Sequence, residues 1–482
     1  MFTSLSASTL RRMRLTNVSQ MRVQPGRLFS YALSTTAPGP DSVRLPVSFD
    51  QARHVGFGSR HASWMAVSFK LPVHAPLELI AEAWHHVLSR HGTLRTVFLP
   101  GEASASSAPA AAQAHDDDPG TQCGGPQTDL QLVGVEVLGG AWEELADDEP
   151  LTPDEIRRTL QEHFDTACDC FARPSHRLCV VLDPAGQRSP QIVIGSDHAH
   201  VDAWSLLVLA RDLSACVEDL RAGRRPGRGL PAAESFAAHS AHLQQRPFPP
   251  VEVVTRWREI LDAGGGSMPQ FPLELGALTP APPEVVEIRD VFDAEELAHV
   301  EAYAAEHQVR LIALAVSVMT RLAAELSDQP LRAVFPVHSR DDARWYDSVG
   351  WFITNSVLEN DDAGYRASYA AVKEAIRLGS YPLAPIMRPY GGMPQSPGMF
   401  AMSWLDHRKL PVNVDEHLEP QHVSAVTHTD GVMIWFVINA SGLHLRCRYP
   451  DTRQARRSIR TWLAGLVYGL RAPLERSGFP GS

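Results

Sequence analysis

The string SDHAHVDAWS, Ser196 to Ser205, brings two imidazoles and two carboxylates together in one short segment. His198 and Asp202 stand in H-x-x-x-D spacing, which suits an imidazole base braced by a carboxylate. A neutral imidazole with an unperturbed pKa of about 6.5 can abstract a proton near neutral pH. The same segment also reads as H-x-H-x-D, with His198, His200 and Asp202 as the opening ligands of a metallohydrolase site. That metal pattern continues with a further histidine, and here the next residue is Ala203. A third reading is structural, because polar residues at a strand end often do no more than satisfy backbone groups. The motif by itself leaves all three open.

A loop needs rigid elements on either side if it is to position chemistry. Here the apolar run QIVIG precedes it as a strand, and Trp204 to Leu220 follows with helical spacing. Apolar residues at Leu77, Ile80, Ala81, Trp84, Val87 and Leu88 predict a helix over Pro76 to Arg90. Strands are expected at Leu94–Leu99, Leu178–Leu182, Leu331–Pro336 and Val349–Leu358. A hairpin over Val432–Tyr449 turns at Asn439–Gly442. Ala294–Leu326 and Thr452–Leu470 read as helical. Mixed helices and strands in both halves give an α/β (α+β) architecture.

The 482 residues suit two domains rather than one core. The expected divisions are a flexible N-terminal extension over 1–42, an N-terminal lobe over 43–245 and a C-terminal lobe over 246–482. Within the first lobe, residues 101–128 are small, polar and aperiodic, which predicts a disordered insertion. The leader carries Arg11, Arg12, Arg14, Arg22 and Arg27 before the first acid, Asp41. It lacks the apolar core of a secretory signal. A net charge of −11 argues against nucleic-acid binding. No apolar run is long enough for an integral membrane segment, so a soluble, cytoplasmic protein is expected. Cys168 and Cys170 depart from C-x-x-C spacing and have no second pair, so the six cysteines read as reduced thiols.

Several further strings resemble, in order, the condensation domains of nonribosomal peptide synthetases. SFDQAR from Ser48 resembles the opening S-x-A-Q-x-R segment, and RHGTLRTVF from Arg90 resembles R-H-x-x-L-R-T-x-F. DHAHVDAWS is similar to the H-H-x-x-x-D-G-W-S loop, ESFAAHS from Glu234 to the aromatic segment after it, and VGWFITNSV from Val349 to G-x-F-V-N-T. The likeness runs from about Leu45 to Leu470 and is stronger to the stand-alone polyketide-associated (PapA-type) acyltransferases of actinobacteria. The last two synthetase segments have no recognisable counterpart.

This resemblance implies two chloramphenicol acetyltransferase-like lobes forming a V, with a tunnel between them. It implies acyl transfer from a carrier-protein or coenzyme A thioester to a hydroxyl or amine, the ester being favoured. His198 takes the place of the family's catalytic histidine. Asp202 points away from substrate and braces the site by pairing with Arg340 of the second lobe. Asp197, Ser205 and Asn355 are expected to support the site, with Ser205 near the developing oxyanion. Trp204, Trp351, Trp404 and Trp435 are expected to line the tunnel. No metal or other cofactor is implied beyond the phosphopantetheine or coenzyme A that carries the donor. In the closing helix, Arg453, Arg456, Arg457 and Arg460 share one face and form an expected docking patch for an acidic carrier protein. Two departures stand in the loop itself: Asp197 replaces its first histidine, and Ala203 replaces the glycine after the aspartate. They leave room for a non-catalytic docking platform as a different class of function.

Overall fold

The computed structural model describes residues 14–39, 42–100, 130–146, 149–412 and 414–476. The N-terminal half contributes strands β1 (Arg14–Asn17), β2 (Arg27–Thr35), β3 (Arg44–Leu45), β4 (Trp64–Lys70), β5 (Thr96–Leu99), β6 (Gln131–Gly134), β7 (Val137–Glu144), β8 (His176–Leu182) and β9 (Gln191–Asp197). The C-terminal half adds β10 (Glu284–Asp293), β11 (Leu331–His338), β12 (Ile353–Asn360), β13 (Phe400–Asp406), β14 (Gln421–Ser424), β15 (Val432–Asn439) and β16 (Gly442–Pro450).

Helices alternate with these strands. The first half holds α1 (Phe49–Val55), α2 (Leu77–Arg90), α3 (Pro153–Ala167), α4 (Ala203–Arg221) and α5 (Phe236–Gln244). The second holds α6 (Val251–Ala263), α7 (Ala294–Glu306), α8 (Leu311–Ser327), α9 (Tyr365–Gly379), α10 (Ala384–Met387) and α11 (Arg453–Arg476).

Two large sheets define two lobes. The first has seven strands in the order β1-β14-β4-β9-β8-β2-β7, and the second has six in the order β10-β16-β15-β13-β11-β12. A small sheet, β3-β6-β5, lies beside the first. The first sheet is apolar on both faces. Val67, Phe69, Ile192 and Ile194 pack toward α2 and α4, while Ala66, Val193 and Cys179 pack toward α3. Helices α8 and α11 press on one face of the second sheet through Val316, Met319, Ile459 and Trp462. Burying side chains of this size is worth about 1.5–3 kcal/mol each, so each sheet nucleates its own core.

The lobes are not consecutive in sequence. β14 belongs to the second half but pairs antiparallel with β4 and parallel with β1 in the first sheet. That crossover stitches the two lobes together. It places Gln421–Ser424 of the second half in the first lobe.

The extension expected over 1–42 is corrected for its described part. β1 is an edge strand of the first sheet, and β2 is paired on both sides, with β7 and β8. Leu28, Ser30 and Tyr31 are buried there, so the segment belongs to the core despite its basic composition. Part of Leu94–Leu99 is a 3-10 turn, Gly92–Arg95, ahead of β5. The hairpin turns where expected, with Asn439 opposite Gly442. The insertion at 101–128 lies outside the described residues. The five described cysteines are buried and unpaired.

Candidate functional site

The loop at Ser196–Ser205 joins the buried end of β9 to α4, and three other segments hold it. Helix α1 starts with a capping box in which Ser48 and Gln51 satisfy each other's backbone N–H groups. Gln51 Nε2 then donates to the carbonyl of Ala199 at 2.8 Å, tying α1 to the loop. His198 N donates to Ser63 O at 3.2 Å, just before β4. The third segment is Ser348–Phe352, from the second lobe.

His198 is half-buried, and its ring has one fixed nitrogen. Nδ1 lies 2.9 Å from the carbonyl oxygen of Val201. A carbonyl only accepts, so Nδ1 carries the hydrogen and Nε2 carries the free lone pair. Nε2 makes no hydrogen bond to any described residue. The imidazole stacks on Trp351, with centroids 4.0 Å apart and planes 22° from parallel. Burial pushes the His198 pKa down, and the neighbouring His54 adds to that. The ring is therefore a neutral base at pH 7 with its open nitrogen already in the right tautomer.

Asp202 and Arg340 meet across the lobes, each 1% exposed. Nη1 donates to Oδ2 at 2.6 Å and Nη2 to Oδ1 at 3.1 Å. The carboxylate also accepts from Ser205 N at 2.7 Å, capping α4, and from Phe352 N at 3.1 Å. Burial alone raises the Asp202 pKa, but the Arg340 charge and these hydrogen bonds hold it below the usual range. Arg340 lies between two rings, 3.9 Å from Phe352 and 4.7 Å from Trp204.

Ser205 completes this knot rather than an oxyanion site. Its hydroxyl donates to Gly350 O at 2.9 Å and accepts from Gly350 N and Arg340 Nη2. No hydrogen remains for a substrate oxygen, which corrects the expected oxyanion role. Gly350 itself must lack a side chain, because a Cβ there falls 2.3 Å from the Phe236 ring. Ala203 opens α4 and is not among the residues with positive φ, so the loop has no conformational need for glycine there.

Asp197 is fully buried and fully bonded. It accepts from Ser63 Oγ at 2.7 Å, His54 Nε2 at 3.2 Å and Ala199 N at 2.8 Å. Burial raises its pKa, yet the His54 and Ser63 hydrogen bonds leave it lowered. His54 Nδ1 accepts in turn from Arg60 at 3.1 Å. An imidazole from α1 thus stands beside the loop where the motif lacks its first histidine. Its ring lies 6.1 Å from that of His198 and 5.1 Å from that of Trp351. Sequence reasoning missed His54, and no local pattern links it to a carboxylate so distant in the chain.

The H-x-H-x-D side chains turn three different ways. His198 faces Trp351, His200 packs edge-on against Phe98 at 5.2 Å, and Asp202 is consumed by Arg340. Burial pushes the pKa of His200 down to about 4. No group of three His, Cys, Asp or Glu side chains placed to hold a metal ion occurs among the described residues.

Of the four expected tunnel tryptophans, Trp351 contacts His198. Trp204 is 8% exposed in the α2–α4 core and donates to Tyr346 O at 2.9 Å. Trp404 stacks on Phe436 beside the core of the second lobe. Trp435 lies against two arginines on β16. Asn355, on β12, approaches Met393 Sδ at 3.9 Å rather than His198.

No protein-family model matches the sequence, and no curated protein matches it either. Solved structures do. The PapA2 acyl transferase superposes with a TM-score of 0.78 at 17% identity, covering 96% of this chain and 99% of that one. The first condensation domain of the calcium-dependent antibiotic synthetase gives 0.63 at 13% identity, over 89% and 96% of the two chains. SgcC5 from Streptomyces globisporus gives 0.60 at 16%, over 89% and 99%. The two sheets, the strand that crosses between them and these superpositions together give the chain the two-lobed fold that these acyl transferase and condensation-domain structures share.

Proposed function

We propose that the protein transfers an acyl group from a thioester, borne on a carrier protein or coenzyme A, to a hydroxyl or amine, with His198 as general base. The observation that carries this reading is the His198 ring: Nδ1 spent on Val201 O, Nε2 open, the face stacked on Trp351. The acceptor gives its proton to Nε2 as its oxygen or nitrogen attacks the thioester carbonyl. Collapse of the tetrahedral intermediate breaks the C–S bond, and the proton passes from the imidazolium to the departing thiolate. The indole face of Trp351 stabilises the imidazolium in between, a contact worth about 0.5–2 kcal/mol. An alcohol acceptor is favoured. The SgcC5 structure was obtained with a 1,2-ethanediol derivative, which is consistent with that choice.

The lowered pKa of His198 sets the pH profile. The base form persists below the ordinary histidine range, so kcat/KM rises with pH through a midpoint under about 6.5 and is flat at neutral pH. Rates with a small thioester measured across acidic and neutral buffers check this. A midpoint above 7 contradicts it.

The donor's route is proposed to pass the start of α11. Arg453, Arg456, Arg457 and Arg460 are all exposed there, while Ala455, Ile459 and Trp462 on the other side are buried. Arg456 pairs with Asp451, so the open charge comes from the other three. Exposed rim charges mainly speed association and weaken with salt. Reversing Arg457 and Arg460 to Glu is expected to raise KM for an acidic carrier-borne donor, less so at high salt, and to leave a pantetheine thioester unaffected. Equal losses with both donors contradict this docking site.

A further inference from the structure

The face of the second sheet opposite α8 and α11 is covered by α6 and α10 at Val334, Val357 and Ala401, and it also holds a cationic cluster that His198 chemistry does not use. Along β16, Leu443, Leu445, Cys447 and Tyr449 enter the helix-side core. Strand alternation puts His444, Arg446 and Arg448 on the opposite face. β15 behaves the same way: Ile434, Phe436 and Ile438 enter the core, and Trp435 lies opposite, paired in register with Arg446. Both guanidiniums rest against the Trp435 indole, at 4.4 Å for Arg446 and 5.7 Å for Arg448.

These two cations are poorly satisfied. Arg446 is 1% exposed and donates to Ser424 Oγ at 3.1 Å, but its Nε is buried without a partner. Arg448 Nε is buried without a partner as well, and its guanidinium makes no hydrogen bond among the described residues. Burial, followed by the charge of Arg448, pulls the pKa of Arg446 down to about 10. Glu284 and Asp430 are the carboxylates that oppose the cluster, and they act without bonding to it. Glu284 Oε1 accepts from Asn17 at 2.9 Å, and its Oε2 is buried with no partner. One buried and one half-buried guanidinium beside one indole, with donors unfilled, suit a tetrahedral oxyanion that accepts from both.

The cluster shares its sheet with the strand that follows Trp351. β12, which follows Trp351, is four strands from β16 in the second sheet. At about 4.8 Å per strand, that separation is roughly 19 Å. The ladder register sets Arg446 level with Asn355, four residues past Trp351, which adds about 13 Å along the strand.

We propose that Arg446, Arg448 and Trp435 form a subsite for a phosphate-type oxyanion on one of the substrates, either the phosphopantetheine of the donor or an anionic group on the acceptor. Which substrate carries the anion rests on the acyl-transfer reading; the binding of the anion does not. Inorganic phosphate is the first probe. At ionic strength held constant with chloride, it should raise the Tm of the full chain saturably, by mass action on the folded state. Arg448→Gln and Arg446→Gln should each weaken that phosphate affinity by about ten-fold or more, the loss expected for a charge-assisted contact. Arg448 is the less buried of the two, so its variant serves if Arg446→Gln does not fold. No saturable rise in the native protein, or an unchanged rise in the variants, overturns the subsite.

Turnover then assigns the source. A KM raised about ten-fold for a phosphopantetheine thioester, but unchanged for its dephosphorylated pantetheine counterpart, places the anion on the donor. A raised KM for an anionic acceptor alone places it there. Loss of phosphate binding with every KM unchanged contradicts a substrate role. Phosphate binding by a protein that shows no acyl transfer contradicts the catalytic reading and leaves the anion site standing.

Discussion

Replacing His198 with alanine lowers acyl transfer by roughly 10²–10⁴-fold, the range for loss of one general base. The thermal midpoint falls little, because the half-buried ring makes one hydrogen bond, to Val201 O, and one stack, on Trp351. The effect appears in kcat more than in KM, since the lone pair on Nε2 acts only as the acceptor attacks. Steady-state rates with a thioester donor, alongside a melting curve, separate the two quantities. Near-native turnover in the variant removes His198 from the mechanism.

The second large effect concerns the pair that joins the lobes. Changing Asp202 to Ala or Arg340 to Met, one at a time, is expected to cost about 3–5 kcal/mol of stability, because each leaves a buried charge unpaired. Asp202→Ala strands a guanidinium held between Phe352 and Trp204. Arg340→Met strands a carboxylate that retains hydrogen bonds from Ser205 N and Phe352 N. The double variant should lose less than the sum of the two, since neither charge is then left alone. Urea unfolding of the four proteins measures the coupling. Additive losses contradict the pairing. Activity should fall in the single variants as well, because the same pair holds the loop bearing His198 against Phe352 of the second lobe.

The site was legible wherever its partners lie in ordered strings. H-x-x-x-D within Ser196–Ser205 names His198 and Asp202, and the arginine of PVHSRDD occupies a definable place after a strand. What stayed hidden depends on distant pairing. His54 meets Asp197 only because α1 and β9 fold together, and a histidine on a short helix carries no local sign of that. Ser205 looked like a free hydroxyl beside the loop, yet Gly350 approaches closely enough to occupy it.

The fold divides along the same line. Helices α2 and α4 show their period in sequence and match the expected spans within one residue, while α11 runs past the expected end at Leu470 to Arg476. β14 is four residues long and has no pattern of its own; its place is set by β1 and β4 in the other lobe. β2 was masked by a basic, acid-free leader composition that resembles an extension, although Leu28 and Tyr31 are core residues. The tryptophans show the limit of residue type. Trp351 and Trp204 lie on either side of one loop-and-knot arrangement, and only the packing tells the ring beneath the histidine from the ring in the core.

The central claim is acyl transfer through His198, and intact-mass spectrometry tests it most directly. A carrier protein loaded with a panel of acyl thioesters is mixed with alcohols and amines, in the presence of the native protein or of His198→Ala. The account predicts that one donor–acceptor combination gives loss of the acyl mass from the carrier together with a matching gain on the acceptor. The native protein should produce that transfer and His198→Ala should reduce it at least a hundred-fold. Transfer at equal rates by both proteins, or no transfer from any donor across the panel by a correctly folded native protein, contradicts it.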